Sequence, residues 1–189
     1  MDIYEECPIL ENDDYIVRLI EQSDAKDLMS VYGDKFALPF FNSDNCNGSN
    51  FYCARQEDVE NTVKYWLIEY HGNRGFVRFS VVDKKEGKVI GTIEMFRRES
   101  DDFYDGCGIL RLDLKSACES FEVIYGILSL ITEPFFEWFG CPVIATKAAL
   151  YAVERIDALN RAGFVKSGEP LINRQQNMAY YDYWIIKKS

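Results

Sequence analysis

The sequence predicts an α/β (α+β) fold, a mixed central sheet of about six or seven strands flanked by about four helices. Three observations predict it. Between Leu110 and Leu114, leucines alternate with Arg111 and Asp113, so one side of an extended segment faces a core and the other carries charge. After a short polar loop, Phe121, Ile124, Leu128 and Ile131 recur at helical spacing. Val123, Ile127 and Leu130 widen that stripe until the helix is apolar over most of its surface and must pack inside. Runs 76–82 and 89–97 each alternate, and the turn Lys84-Lys85-Glu86-Gly87 between them makes a hairpin.

The 189 residues are 48% apolar and 15% aromatic, enough for one filled core, so a single domain over 1–189 is expected. The chain holds 21 basic and 31 acidic residues, a net charge of -10 spread along its length. That balance argues against a nucleic-acid surface and favours cationic partners such as amines or basic peptides. Six scattered cysteines with no Cys-x-x-Cys pair, and His71 as the sole histidine, exclude the common zinc patterns, so no metal is expected. Reduced thiols are the default, and Cys118, with no histidine near it in sequence, reads as packing rather than a nucleophile. The start, Met-Asp-Ile-Tyr-Glu-Glu-Cys, has no basic region followed by an apolar one, and the most apolar run, 123–131, is too short to span a bilayer. A cytoplasmic protein with no membrane contact is expected.

In order, 15–21 reads as a first strand and Ser23 as the N-cap of a short helix ending near Gly33. The stretch 38–55 is rich in Asn, Ser and Gly yet holds Phe40, Phe41, Phe51 and Tyr52, rings that plug a core edge or line an entrance. A second helix starts at Gln56, with Val59, Val63, Trp66 and Tyr70 on one side, and ends around His71-Gly72. In the second hairpin strand, Val89, Gly91, Ile93 and Met95 share one face and Ile90, Thr92, Glu94 and Phe96 the other. Glu94 is therefore either a solvated side chain on the open side of the sheet or a carboxylate with a raised pKa among apolar neighbours. After the central strand and buried helix come a strand at 143–147, a helix at 152–162 closed by Gly163-Phe164, and an aromatic strand at 178–186.

This order, together with Lys88-Val-Ile-Gly-Thr-Ile-Glu94, Phe136-Glu-Trp-Phe-Gly, Val143-Ile-Ala-Thr-Lys and Leu159-Asn-Arg-Ala-Gly-Phe164, resembles the GNAT superfamily of acetyl-CoA-dependent N-acetyltransferases. Within it, the chain looks most like the branch that acetylates ribosomal-protein N-termini. The resemblance implies acetyl-CoA as co-substrate and direct attack of a primary amine, small or at a protein N-terminus, on the thioester. It implies Glu94 or Asp113 as the base, with Leu112, Leu114, Lys115, Ser116 and Ser120 around the cofactor. Lys147 or Arg155 would supply a phosphate contact, and Phe40, Phe41 and Tyr181 would shape the acceptor pocket. A homodimer is left open.

The sequence departs from the family at the loop that cradles the pyrophosphate. Where the family has an Arg/Gln-x-x-Gly-x-Gly/Ala motif, this chain reads Glu119-Ser-Phe-Glu-Val-Ile124. The glycines let phosphate approach the backbone, and Glu119 and Glu122 would each repel it by about 1 kcal/mol at 4 Å even in bulk water. The positions of a cofactor-contacting Asn and a general-acid Tyr fall near Ala152 and Leu159. The alternative is therefore a catalytically degenerate GNAT-fold protein that binds another ligand or a protein partner.

Overall fold

The computed structural model describes residues 2–44, 46 and 48–188. Strands β1 (Leu10–Glu11) and β2 (Tyr15–Leu19) lead into helix α1 (Ala25–Tyr32), and α2 (Gln56–Ile68) precedes the hairpin of β3 (Val77–Asp83) and β4 (Lys88–Arg97). The central strand β5 (Gly108–Leu114) enters α3 (Phe121–Phe139), and β6 (Val143–Lys147) enters α4 (Val153–Arg161). Four short strands finish the chain: β7 (Val165–Lys166), β8 (Leu171–Asn173), β9 (Met178–Tyr180) and β10 (Tyr183–Lys187). The main sheet runs β1-β2-β3-β4-β5-β6-β10-β7, and β8 and β9 form a separate pair. Among the described residues, only β5 and β6 pair in parallel within it. This is the expected mixed sheet with four helices; the strands beyond those expected in the main sheet are the two-residue edges β1 and β7, too short to leave an alternating signal.

One face of the sheet sends Phe79, Ile93, Leu112 and Ile144 against Ile127, Ile131 and Phe135 of α3. Removing such side chains from water supplies most of the folding free energy, at about 25 cal/mol per Å². The other face was expected to carry open charge, and it does not. Helices α1 and α2, with Leu28, Val31, Val63 and Trp66 in their own cluster, roof it over, so that Arg78, Thr92, Glu94 and Asp113 are buried.

Three local expectations are corrected. Ser23 does not cap α1: Asp24 turns its carboxylate back onto the Glu21 amide at 2.9 Å, while also taking Arg18 and Ser80, so a 3₁₀ turn at Gln22–Asp24 opens the helix. The strand expected at 178–186 breaks at Tyr181 and Asp182, the latter at φ +65, so β9 joins β8 while β10 returns to the main sheet. The expected alternation of β4 fails at its start. A register shift opposite Val81 and Val82 sends Val89 to the helix α1 side and Ile90 to the α3 side.

Gly91 sits beside that irregularity, and a Cβ there would lie 2.3 Å from the Asp113 carbonyl oxygen. Backbone cannot yield as a flexible side chain does. Gly91→Ala is expected to cost roughly 1–3 kcal/mol by forcing β4 from β5, read as a fall in the thermal unfolding midpoint; an unchanged midpoint would contradict this packing.

Candidate functional site

Sheet register builds the site. Arg78 on β3 stands opposite Glu94 on β4, which stands opposite Arg111 on β5; the next row holds Ser80, Thr92 and Asp113. All point toward α1 and α2. Arg78 Nη2 binds Glu94 Oε2, and Arg111 Nη1 binds Glu94 Oε1 at 2.6 Å. Arg78 Nη1 reaches Thr92 Oγ1 at 3.0 Å and Asp113 Oδ2 at 3.2 Å, and the Tyr32 hydroxyl from the end of α1 donates to the same Asp113 oxygen at 3.0 Å. The Arg78 guanidinium lies 4.1 Å from the centre of the Trp66 ring, with Phe51 and Phe76 at 5.9 Å.

These contacts divide the two candidate bases. Burial alone would raise Glu94, but the guanidiniums of Arg78 and Arg111 outweigh it and hold the carboxyl below its usual range. Both expectations for Glu94 fail: it is neither solvated nor raised. Asp113 is the raised one, because burial outweighs Arg78 and Tyr32 there. Its Oδ1 is buried without a hydrogen-bond partner, and its Oδ2 is already taken.

The opposite shifts give opposite pH dependences. A carboxyl held low, as Glu94 is, adds stability above its unfolded value that is lost as pH falls; a raised one, as Asp113 is, adds stability below 3.8 that is lost as pH rises through the folded value. Asp113→Asn should therefore gain on the wild type in thermal midpoint as pH rises from about 4 to 7, by up to a few degrees. A difference independent of pH would contradict the raised value.

Above Glu94 lies a basin of about 600 Å³, walled by Phe51, Trp66, Phe76, Phe96, Arg98 and Arg111 among others. Glu94 reaches its floor; Asp113 does not line it.

Beside the basin, β5 and β6 pair from Gly108–Ile144 to Leu110–Thr146 and then part, leaving a notch between them. The notch is filled by the chain itself. From α4, Arg155 Nη1 donates to the Leu112 carbonyl at 2.8 Å, and Arg155 Nη2 binds Glu119 Oε2 at 2.8 Å, with both side chains 5% exposed. The N-terminal amide of α3, on Phe121, donates to Glu154 Oε2 at 2.9 Å. The basin side is strapped as well. Asp44 takes Lys147 Nζ at 2.7 Å and the Tyr183 hydroxyl at 3.1 Å, while its carbonyl accepts from Arg111 Nη2 at 2.8 Å. Asp34 accepts from the Ser116 amide at 2.9 Å, and Tyr151 donates its hydroxyl to the Pro39 carbonyl, so the segment between α1 and α2 touches both lips.

Most of the residues expected around the cofactor have partners inside the protein, Ser116 among them through its amide to Asp34. Leu112 and Leu114 are core side chains. Lys115 stands 3.4 Å from Glu86, and Ser120 begins α3 with no side-chain cap bond. Lys147 and Arg155, expected at phosphate, are paired with Asp44 and Glu119. Of the residues expected to shape the acceptor pocket, Phe41 is buried against Tyr32, Phe40 packs on Tyr151, and Tyr181 is exposed; none joins Glu94 in the basin. Acetyl-CoA does not fit these residues as arranged: the Phe121 amide, the Leu112 carbonyl, Lys147 and Arg155 hold the protein's own groups, which it would have to displace. Among the described residues, no group of three His, Cys, Asp or Glu side chains is placed to hold a metal ion.

Sequence reasoning missed Arg78, Arg111 and Tyr32. Arg78 was recoverable: once the hairpin is read, Arg78 falls across from Glu94.

No family model and no curated protein matches the sequence. Solved structures do. A GNAT-family acetyltransferase from Bacillus anthracis superposes with a TM-score of 0.69 at 11% identity, over 95% of this chain and 98% of that one. The ribosomal-protein-S5-alanine acetyltransferase from Vibrio fischeri gives 0.62 at 21% identity, over 96% of each. A protein described as a ribosomal-protein-serine acetyltransferase from Vibrio cholerae gives 0.69 at 10%, over 96% and 98%. The chain has the GNAT fold, the fold of these acetyltransferases. Among the described residues, no helix is long and apolar enough to cross a membrane.

Proposed function

We propose that this chain is a GNAT-fold binding protein that does not take acetyl-CoA and whose working site is the basin above Glu94. One observation carries the reading. The place where the fold would receive an anion, the head of α3, holds the Glu154 carboxylate on the Phe121 amide, with Arg155 locked between Glu119 and the Leu112 carbonyl beside it. A protein that binds pyrophosphate at a helix N-terminus gains nothing from placing three glutamates, Glu119, Glu122 and Glu154, around it. The expected result is an unchanged melting temperature in millimolar CoA or acetyl-CoA, since a ligand that binds only the folded state must raise it.

A second reading is acetyl transfer to a primary amine or a protein N-terminus. The parting of β5 from β6 and the ribosomal-protein acetyltransferases among the structural neighbours favour it. It requires Arg155 and Glu119 to leave the notch together, and it has no ready base, because Glu94 is ionised but doubly paired and Asp113 is sealed. A rise in melting temperature with CoA, followed by acetylation of an amine or peptide panel, would favour it over the first.

A further inference from the structure

We propose that the basin above Glu94 binds a small organic anion, a carboxylate carried on a planar ring. The inference deepens the reading of the basin as the working site and rests on it.

The net charge of the chain argues for cationic ligands, but the basin's own groups argue the reverse. A cation entering it would look for two things, a carboxylate and the face of an aromatic ring. Both are already occupied from inside the protein. Each oxygen of Glu94 holds a guanidinium, Arg78 on one side and Arg111 on the other. Arg78 also lies within 6 Å of the Trp66, Phe51 and Phe76 ring centres, the closest at 4.1 Å. An ammonium ligand would meet Arg78 and Arg111 at Glu94, the carboxylate on the floor.

An anion meets the opposite arrangement. Arg98, just past the end of β4, and Arg111 on β5, each with a side chain 11% exposed, line the basin. Arg111 spends Nη1 on Glu94 and Nη2 on the Asp44 carbonyl, whereas Arg98 spends Nη2 alone, on Asp102 and the Ile172 carbonyl, and its Nη1 has no partner among the described residues. The Nε of both is buried with no partner. Each Nε is closed off from solvent, so the donor that Arg98 offers a carboxylate in the basin is Nη1, and a charge-assisted bond of this kind is among the stronger hydrogen bonds. Arg97 and Glu99, both exposed, offset one another at the mouth. Asp113, beyond Arg78, does not line the basin. The wall also includes Phe96, its ring centre 5.4 Å from the Arg111 guanidinium, with Phe51 and Phe76, apolar surface against which a ring can pack.

The test uses the full chain and four probes: benzoate, benzylamine with the same ring and opposite charge, acetate with the same charge and no ring, and CoA. Benzoate is expected to raise the melting temperature by about 3 to 6 °C at ten times its Kd, with benzylamine silent and acetate well below benzoate. Arg98→Gln should abolish the benzoate shift, measured from its own baseline. Saturation-transfer NMR on the benzoate ring protons reads the same binding on the unmodified protein, should that variant fail to fold. A benzylamine shift equal to or above that of benzoate would overturn the charge assignment, and acetate equal to benzoate would overturn the ring. Silence from all three small probes would overturn the inference while leaving the closed notch standing. A shift with CoA would instead overturn the reading of the notch, whatever benzoate does.

Discussion

Arg78→Met is expected to lower stability by about 3–5 kcal/mol, the cost of leaving buried carboxylates without their cation. For a chain of this length that is a fall of roughly 6–20 °C in melting temperature. Arg78 is 1% exposed and holds Glu94, Asp113 and Thr92 at once, so its removal strands one ionised group and one raised group in the same space. Burial normally pulls an arginine down, but the charge of Glu94, with Tyr32 and Asp113 behind it, leaves this guanidinium above its usual range. Arg78→Lys keeps a charge but cannot reach both rows in one plane, and should fall between the two. A loss of less than about 1 kcal/mol for Arg78→Met would mean that the buried ionic row does not hold the sheet to its helical roof.

The second large effect is expected at Arg155. Arg155→Ala leaves Glu119 buried without its cation and the Leu112 carbonyl without its donor, again roughly 3–5 kcal/mol by denaturant unfolding. The pair makes a sharper test than the single change. If Glu119 is costly mainly because it is stranded, Glu119→Ala added to Arg155→Ala should recover part of the loss, an interaction energy of about 0.5–3 kcal/mol. Strict additivity would show that the two side chains do not act as one plug.

How much of this was legible from sequence depends on the periodicity of each element. Leu110, Leu112 and Leu114 gave β5, and the stripe from Phe121 to Ile131 gave α3, because each repeats a period several times against a core. The edges β1 and β7 have two residues each and no period to read. The break at Asp182 was hidden because Met178 to Ile186 is rich in aromatic and β-branched residues throughout, while the turn is set by one positive φ. At the site, Glu119 and Glu122 in place of the glycine loop at the cofactor cleft leave two readings open, CoA held by the strand end and nearby basic groups or no CoA held. What the sequence could not show was that Arg155 and Glu154, far along the chain, fill that cleft, since such contacts form only when α4 packs beside α3. The reading of Glu94 failed for a related reason: alternation shows which residues share a face but not what roofs it.

The most direct test of the account is a calorimetric titration of CoA into the unmodified chain. The closed notch predicts no saturable heat at millimolar CoA. A saturable isotherm with a Kd in the micromolar range would contradict it, and would mean that Arg155, Glu119 and Glu154 yield their places to the ligand.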